Sequence, residues 1–128
     1  MKYKIVKETK PTLKNYERYK AVAQHYQTVT TEQLRQEIQD NCSAKKSDVL
    51  LVLTELTEVL VRHLKEGDRV RIDGLGLLKL EIESEKVDTP EEFNVHKHVR
   101  SLRVHLLPES HKGEQLLYKD IRLERTRD

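Results

Sequence analysis

The chain has no tryptophan, one phenylalanine, one cysteine, three prolines and four glycines in 128 residues. So few large aromatics, with only 36% hydrophobic residues against 36% charged, make a lean core for one domain's length. A chain built this way often completes its core against a second copy. Cys42, standing alone, excludes an internal disulfide framework and fits a reducing compartment. No apolar run approaches 18 residues, so a membrane span is not expected. The opening MKYKIVKETKP lacks the apolar stretch of a secretory signal. The cytoplasm is therefore the expected compartment.

Charge of one sign is also scarce overall, with 24 Lys and Arg against 22 Asp and Glu. Its distribution is uneven. Residues 1 to 29 carry seven basic and two acidic groups, residues 30 to 83 eight and eleven, and residues 84 to 100 three and four. The extension is basic and the middle is not. No internal repeat or low-complexity segment interrupts the chain.

KYKIVK alternates like a short strand, followed by a loop around Pro11. YERYKAVAQHYQTVT fits two spacings and reads as strand or irregular chain. Thr30, with Gln33 three residues on, has the form of a capping box. It opens a helix carrying Leu34 and Ile38 on one face and ending near Asn41, with Cys42 expected to pack against it. The strongest element is SAKKSDVLLVLTELTEVLVRHLKEG. Val49, Val52, Leu53, Leu56, Val59, Leu60 and Leu64 form one helical stripe over about residues 44 to 66, with Ser43 as N-cap and Gly67 just past the end. Leu50, Leu51 and Val61 lie off that stripe. The apolar sector is wider than one core face needs, and a partner subunit is the simplest extra cover.

Three strands follow. In RVRIDGLGLLKLEI, Val70, Ile72, Leu78, Leu80 and Ile82 take one face, and Arg69, Arg71, Lys79 and Glu81 the other. SLRVHLL repeats the pattern, with Leu102, Val104 and Leu106 inward and Arg103 and His105 outward. Gly74 and Gly76 mark a tight turn where the backbone needs positive φ or a close approach. DTPEEF is a helix start, with Thr89 as N-cap and Pro90 first in the helix. ESHKGEQLLYKD reads as a short helix weakened by Gly113. IRLERT reads as an edge strand able to pair with KYKIVK.

The run from Ser43-Ala-Lys45-Lys46, through the long helix closing on Lys65-Glu66-Gly67-Asp68, to the strand pair around Gly74-Leu75-Gly76 resembles the HU and integration host factor family of bacterial DNA-binding proteins. The resemblance covers residues 29 to 83, and 101 to 107 more loosely. The family has an aromatic residue where Leu75 stands. The basic extension and TPEEF are similar to the HU-like variants of Bacteroidetes-type bacteria. The resemblance implies an α+β, HU/IHF-like fold. This has two N-terminal helices, a three-stranded antiparallel sheet, an intertwined dimer, and here extra N- and C-terminal strands. It is read as a single domain, with an extension at 1–28, a core at 29–107 and a helix and strand at 108–128. Val49, Val52, Leu53, Leu56, Leu60, Leu75 and Leu78 are its expected dimer core.

Family members grip double-stranded DNA with two β-arms whose Arg-Asn-Pro tips wedge between bases. Here the corresponding segment, SEKVDTPEEFNVHKHVR, has no Arg-Asn-Pro and more acid than base, and no wedge residue carries over. The expected DNA contacts are Arg69, Arg71, Lys79 and Arg103 on the outward sheet face, Lys45 and Lys46 at a helix start, and Lys97 and Arg100 after the altered segment. Lys2, Lys4, Lys7, Lys10, Lys14, Arg18 and Lys20 offer a replacement grip. A charged sheet face is often no more than solvated, and basic residues also keep an edge strand from aggregating.

The implied function is architectural, little sequence-specific duplex binding in the nucleoid. The partner is a second copy or a related chain, with no cofactor, membrane or small-molecule substrate. The rival reading is an HU-fold interaction module that has lost DNA. His96, His98 and His105 lack the companion ligands of a metal site. No phosphate loop, nucleophile turn or carboxylate pair suggests an enzyme, and Cys42 with His25 or His63 makes a poor nucleophile and base.

Overall fold

The computed structural model describes residues 1–9 and 17–126. The Pro11 loop, Lys10, Lys14 and Tyr16 lie outside them. The chain divides into two compact units, Met1–Leu34 with Asp120–Asp128, and Arg35–Lys119.

In the first unit, β1 (Lys2–Lys7) and β2 (Tyr19–Ala23) pair antiparallel, with Tyr3 opposite Ala23 and Lys7 opposite Tyr19. The end of the chain returns as the short β8 (Glu124–Arg125), parallel to β1, so IRLERT does meet KYKIVK, through two residues. Thr126 Oγ1 fastens this return by donating to Tyr3 O at 2.9 Å.

The boundary falls within α1 (Thr31–Asn41). Its capping box forms as expected. Thr30 N donates to Gln33 Oε1 at 2.8 Å, and Gln33 N donates to Thr30 Oγ1 at 3.2 Å. Cys42, expected to pack on this helix, is exposed in the turn beyond it. Arg35, in contrast, is buried, its guanidinium donating to Gln39 Oε1 at 2.6 Å.

Helix α2 (Lys46–Lys65) starts later than expected, with Lys45 rather than Ser43 at the N-cap and no side-chain cap bond. A cap is worth about 1 kcal/mol. Here the first helical bond, Val49 N to Lys45 O, belongs to the turn that buries Val49. The C-terminus ends as the sequence indicates. Gly67 takes φ +90°, its N–H donates to Leu64 O, and Asp68 N–H donates to His63 O, the paired bonds of a Schellman ending.

The second sheet is antiparallel in the order β3 (Val70–Ile72), β4 (Gly76–Ser84), β5 (Val99–Pro108). Direct partners Val70, Leu78 and Leu106, then Leu80 and Val104, then Ile82 and Leu102, share the apolar face. Residues 85–98 close the hairpin with a 3-10 turn (Pro90–Glu92) and α3 (Val95–His98). Asn94 caps α3, its Oδ1 accepting from His96 N at 2.9 Å.

The short helix expected in ESHKGEQLLYKD is absent. Instead β6 (Ser110–His111) and β7 (Glu114–Gln115) form a hairpin, with Lys112 and Gly113 both at positive φ. That is the backbone of a two-residue hairpin turn, which the lone Gly113 permits. One 3-10 turn, Leu116–Tyr118, is all the helix there.

Among the described residues only Val49 and Leu64 are buried apolar side chains. Val52, Ile82 and Leu102 are each more than 60% exposed, and Leu51, Leu56, Val59 and Val104 are exposed too.

Candidate nucleic-acid interface

The polar face of the β3–β4–β5 sheet is fixed by strand register. Arg71 stands opposite Leu77, Lys79 opposite His105, Glu81 opposite Arg103, and Glu83 opposite Ser101. Alternation puts these side chains on one face because their neighbours Val70, Leu78, Leu80 and Val104 occupy the other. Arg69 immediately precedes β3.

The Gly74-Leu75-Gly76 turn anchors one end of this face. Leu75 N donates to Ile72 O at 3.0 Å, and Glu109 N donates to Leu75 O at 3.2 Å. Gly74 N also donates to the Glu109 carboxylate. Beside it, Arg71, Leu77, Leu107 and Glu109 line an open cavity of about 260 Å³.

The basic groups on this face are not equivalent. Arg69 and Arg71 make no ion pair among the described residues, whereas Arg103 donates to Glu81 Oε2 at 2.7 Å and lies 3.6 Å from Glu83. Lys79 is 3.5 Å from Glu81, and His105 Nδ1 lies 2.8 Å from the same carboxylate. The Arg103 and His105 hydrogen bonds pull the Glu81 carboxyl from its usual 4.5 to about 2, and Glu81 in turn raises Arg103.

At the far end, Arg100 meets Glu85 at 3.2 Å, and Glu85 N–H donates to His98 O, closing the segment between β4 and β5. Lys97 lies on α3 without an ion pair among the described residues. The ladder stops at Ser84 and Val99, so this segment is a folded closure and not an extended pair of strands. Its tip carries Asp88, Glu91 and Glu92, and Phe93 lies 5.6 Å from the His98 ring.

Lys45, as N-cap, and Lys46 belong to α2 and not to the strands of this face. They lie at the start of α2, roughly 30 Å of helix from its end before Arg69. Strand alternation already set Glu81 against Lys79 and Arg103 on the outward face, as the ion pairs show, but gave His105 no partner, and it is His105 that joins them at the same carboxylate. The expected dimer-core residues are spread differently. Val49, Val52 and Leu53 line an apolar cavity of about 200 Å³ with Ile38 and Ala44. Leu56 is exposed, and Leu60, Leu75 and Leu78 are half-buried.

His96, His98 and His105 do not converge. His98 accepts from Asn94 N and His105 meets Glu81. Among the described residues the ligand atoms that do gather belong to His63, Glu66 and Asp68, where His63 Nδ1 and Asp68 Oδ2 are 2.8 Å apart at the end of α2.

The family model HU-HIG, described as an HU domain fused to wHTH, Ig, or Glycine-rich motif, matches residues 1–125. The chain belongs to the HU-HIG family. Among solved structures it is similar to a protein of Bacteroides vulgatus ATCC 8482, described as a candidate bacterial DNA-binding protein, with a TM-score of 0.62 and 16% identity. The likeness covers 97% of this chain and 47% of that one, so this HU-HIG chain spans about half the length of the structure it matches. At that identity the likeness is one of fold. Comparison with curated proteins finds no match. No helix among the described residues is long and apolar enough to cross a membrane.

Proposed function

We propose that this HU-HIG chain is an architectural DNA-binding protein that holds duplex DNA as a dimer, with little sequence preference and no chemistry of its own. The observation that carries the reading is the polar face of an HU-type sheet, where Arg71, and Arg69 just before β3, stand without ion-pair partners among the described residues. Cations on a sheet face meet phosphates and do not read base edges, so binding is sequence-independent and salt-sensitive. The description of the Bacteroides vulgatus protein supports the same reading. The nucleoid, and hence the cytoplasm, is the matching location.

Dimerisation is supported by the apolar surface. A 15.1 kDa chain with two buried apolar side chains among its described residues has too little core to hold itself. The exposed sector of α2 and the exposed end of the sheet face, Ile82, Leu102 and Val104, are the surfaces a second copy covers. Lys45, Lys46, Lys97 and Arg100 are secondary contacts, and the basic β1–β2 hairpin adds phosphate contacts in place of the missing arm.

One observation favours the rival reading of an interaction module without DNA. Three of the eight expected contacts, Lys79, Arg100 and Arg103, are already paired to carboxylates. Titrating a labelled duplex of arbitrary sequence with the protein at low and at physiological salt separates the two. Binding that weakens steeply with salt is expected. No binding at low salt by the folded protein overturns the DNA reading.

A further inference from the structure

One carboxylate on the polar sheet face gathers three nitrogen side chains. Arg103 donates to Glu81 Oε2 at 2.7 Å, while His105 Nδ1 and Lys79 Nζ lie 2.8 and 3.5 Å from Glu81 Oε1. Register produces the cluster. Glu81 is the direct partner of Arg103, and Lys79 of His105, so the four side chains share one patch of the pleat. An arginine fork with a lysine and a histidine is a donor set suited to a phosphate, and here it is turned onto a carboxylate of the same chain. Arg103 remains 60% exposed, so the cluster is open to a ligand from solvent.

We propose that Glu81 is a built-in competitor for DNA. In the free protein it occupies the position in which Arg103, Lys79 and His105 hold a backbone phosphate, and duplex binds there by displacing it. This rests on the duplex reading above and adds His105 to the contacts. Glu81 is half-buried, but water reaches its partners Arg103 and His105, and ion pairs that water reaches are individually weak, so rotation of the Glu81 side chain releases the donors at modest cost. The carboxylate is nonetheless tethered beside them at all times, and every phosphate must compete with it. Glu81 thereby lowers affinity and reduces the number of phosphates engaged, while Arg69 and Arg71 bind without such a rival.

The test is fluorescence anisotropy of a labelled duplex across a salt series, with the wild-type chain, Glu81→Gln, Arg103→Ala and the double variant. Glu37→Gln on the exposed surface of α1 makes the same change in net charge and serves as control. Glu81→Gln should bind at least about threefold tighter at low salt, with the log–log salt slope steeper by about 0.9 for each phosphate gained. Arg103→Ala should cost more affinity in the Glu81→Gln background than in the wild type. Circular dichroism and sedimentation establish that each variant is folded, with Glu81→Ala as the second variant if glutamine disturbs the sheet. If the wild type binds and Glu81→Gln binds no tighter than Glu37→Gln, the competitor role falls and the DNA reading stands. If no form binds duplex at low salt, both fall.

Discussion

Gly76 lies against the backbone of Leu107. A β-carbon at Gly76 would overlap the Leu107 carbonyl oxygen and stand 3.1 Å from Pro108 Cα, whereas one at Gly74 would meet nothing within 4 Å. The two glycines of the turn therefore serve different ends. Gly74 supplies φ +86°, and Gly76 lets β5 close on β4 at the Gly76–Pro108 pair. Gly74→Ala should cost about 1–2 kcal/mol of backbone strain. Gly76→Ala should cost more, about 3 kcal/mol or above, because the strand itself must move. Urea unfolding of the two variants checks the order, and equal costs would contradict the assignment.

The reciprocal bonds of Thr30 and Gln33 hold the start of α1. Thr30→Ala should destabilise by about 1 kcal/mol and Thr30→Ser by less, since serine keeps the acceptor. Thermal unfolding reads both. A neutral Thr30→Ala would show that tertiary contacts alone set the helix start.

Glu81 gives a pH signature. Its folded value, about 2, is below the usual 4.5, so its pairing with Arg103 and His105 stabilises the fold fully above about pH 4.5. That contribution is lost as pH falls from 4.5 through about 2. Wild type should lose stability relative to Glu81→Gln across that window and run parallel to it above. Denaturation midpoints measured between pH 2 and 7 show whether the curves converge. Parallel curves throughout would mean the carboxylate is unpaired in solution.

Leu56 is exposed on α2 within one chain, in the stripe assigned to the partner. If the proposed dimer forms through this stripe, Leu56→Asp should abolish dimer and fold together, because it would place an unpaired charge between the two copies, a cost of about 3 kcal/mol or more. Sedimentation with circular dichroism reads both at once. A folded, monomeric Leu56→Asp would separate folding from association.

Much of the second unit was legible because its signals are periodic. The extent of α2, the shared apolar face of β3, β4 and β5, and the Gly67 ending follow from spacing and glycine chemistry, whereas the expected burial of Ile82, Leu102 and Val104 is not met within one chain. The family resemblance over residues 29 to 83 was borne out by the HU-HIG match. The signals that failed are short or non-local. Ser43 offered a cap two residues too early, and the helix starts instead from Lys45, whose carbonyl accepts from the N–H of buried Val49. Helix α3 has four residues, fewer than periodicity needs, and only Asn94 marks it. The Lys112–Gly113 turn forced a hairpin where composition suggested helix. The Glu81 cluster depends on the register of β4 against β5 across a 14-residue closure, which no local pattern encodes.

The central claim is that this chain covers its α2 stripe and sheet face with a second copy, and so presents two basic sheet surfaces to DNA. Sedimentation equilibrium of the wild-type chain at micromolar concentration, without DNA, tests it most directly. The account predicts a mass of twice 15.1 kDa with native circular dichroism. A stable, folded species of the single-chain mass would contradict it.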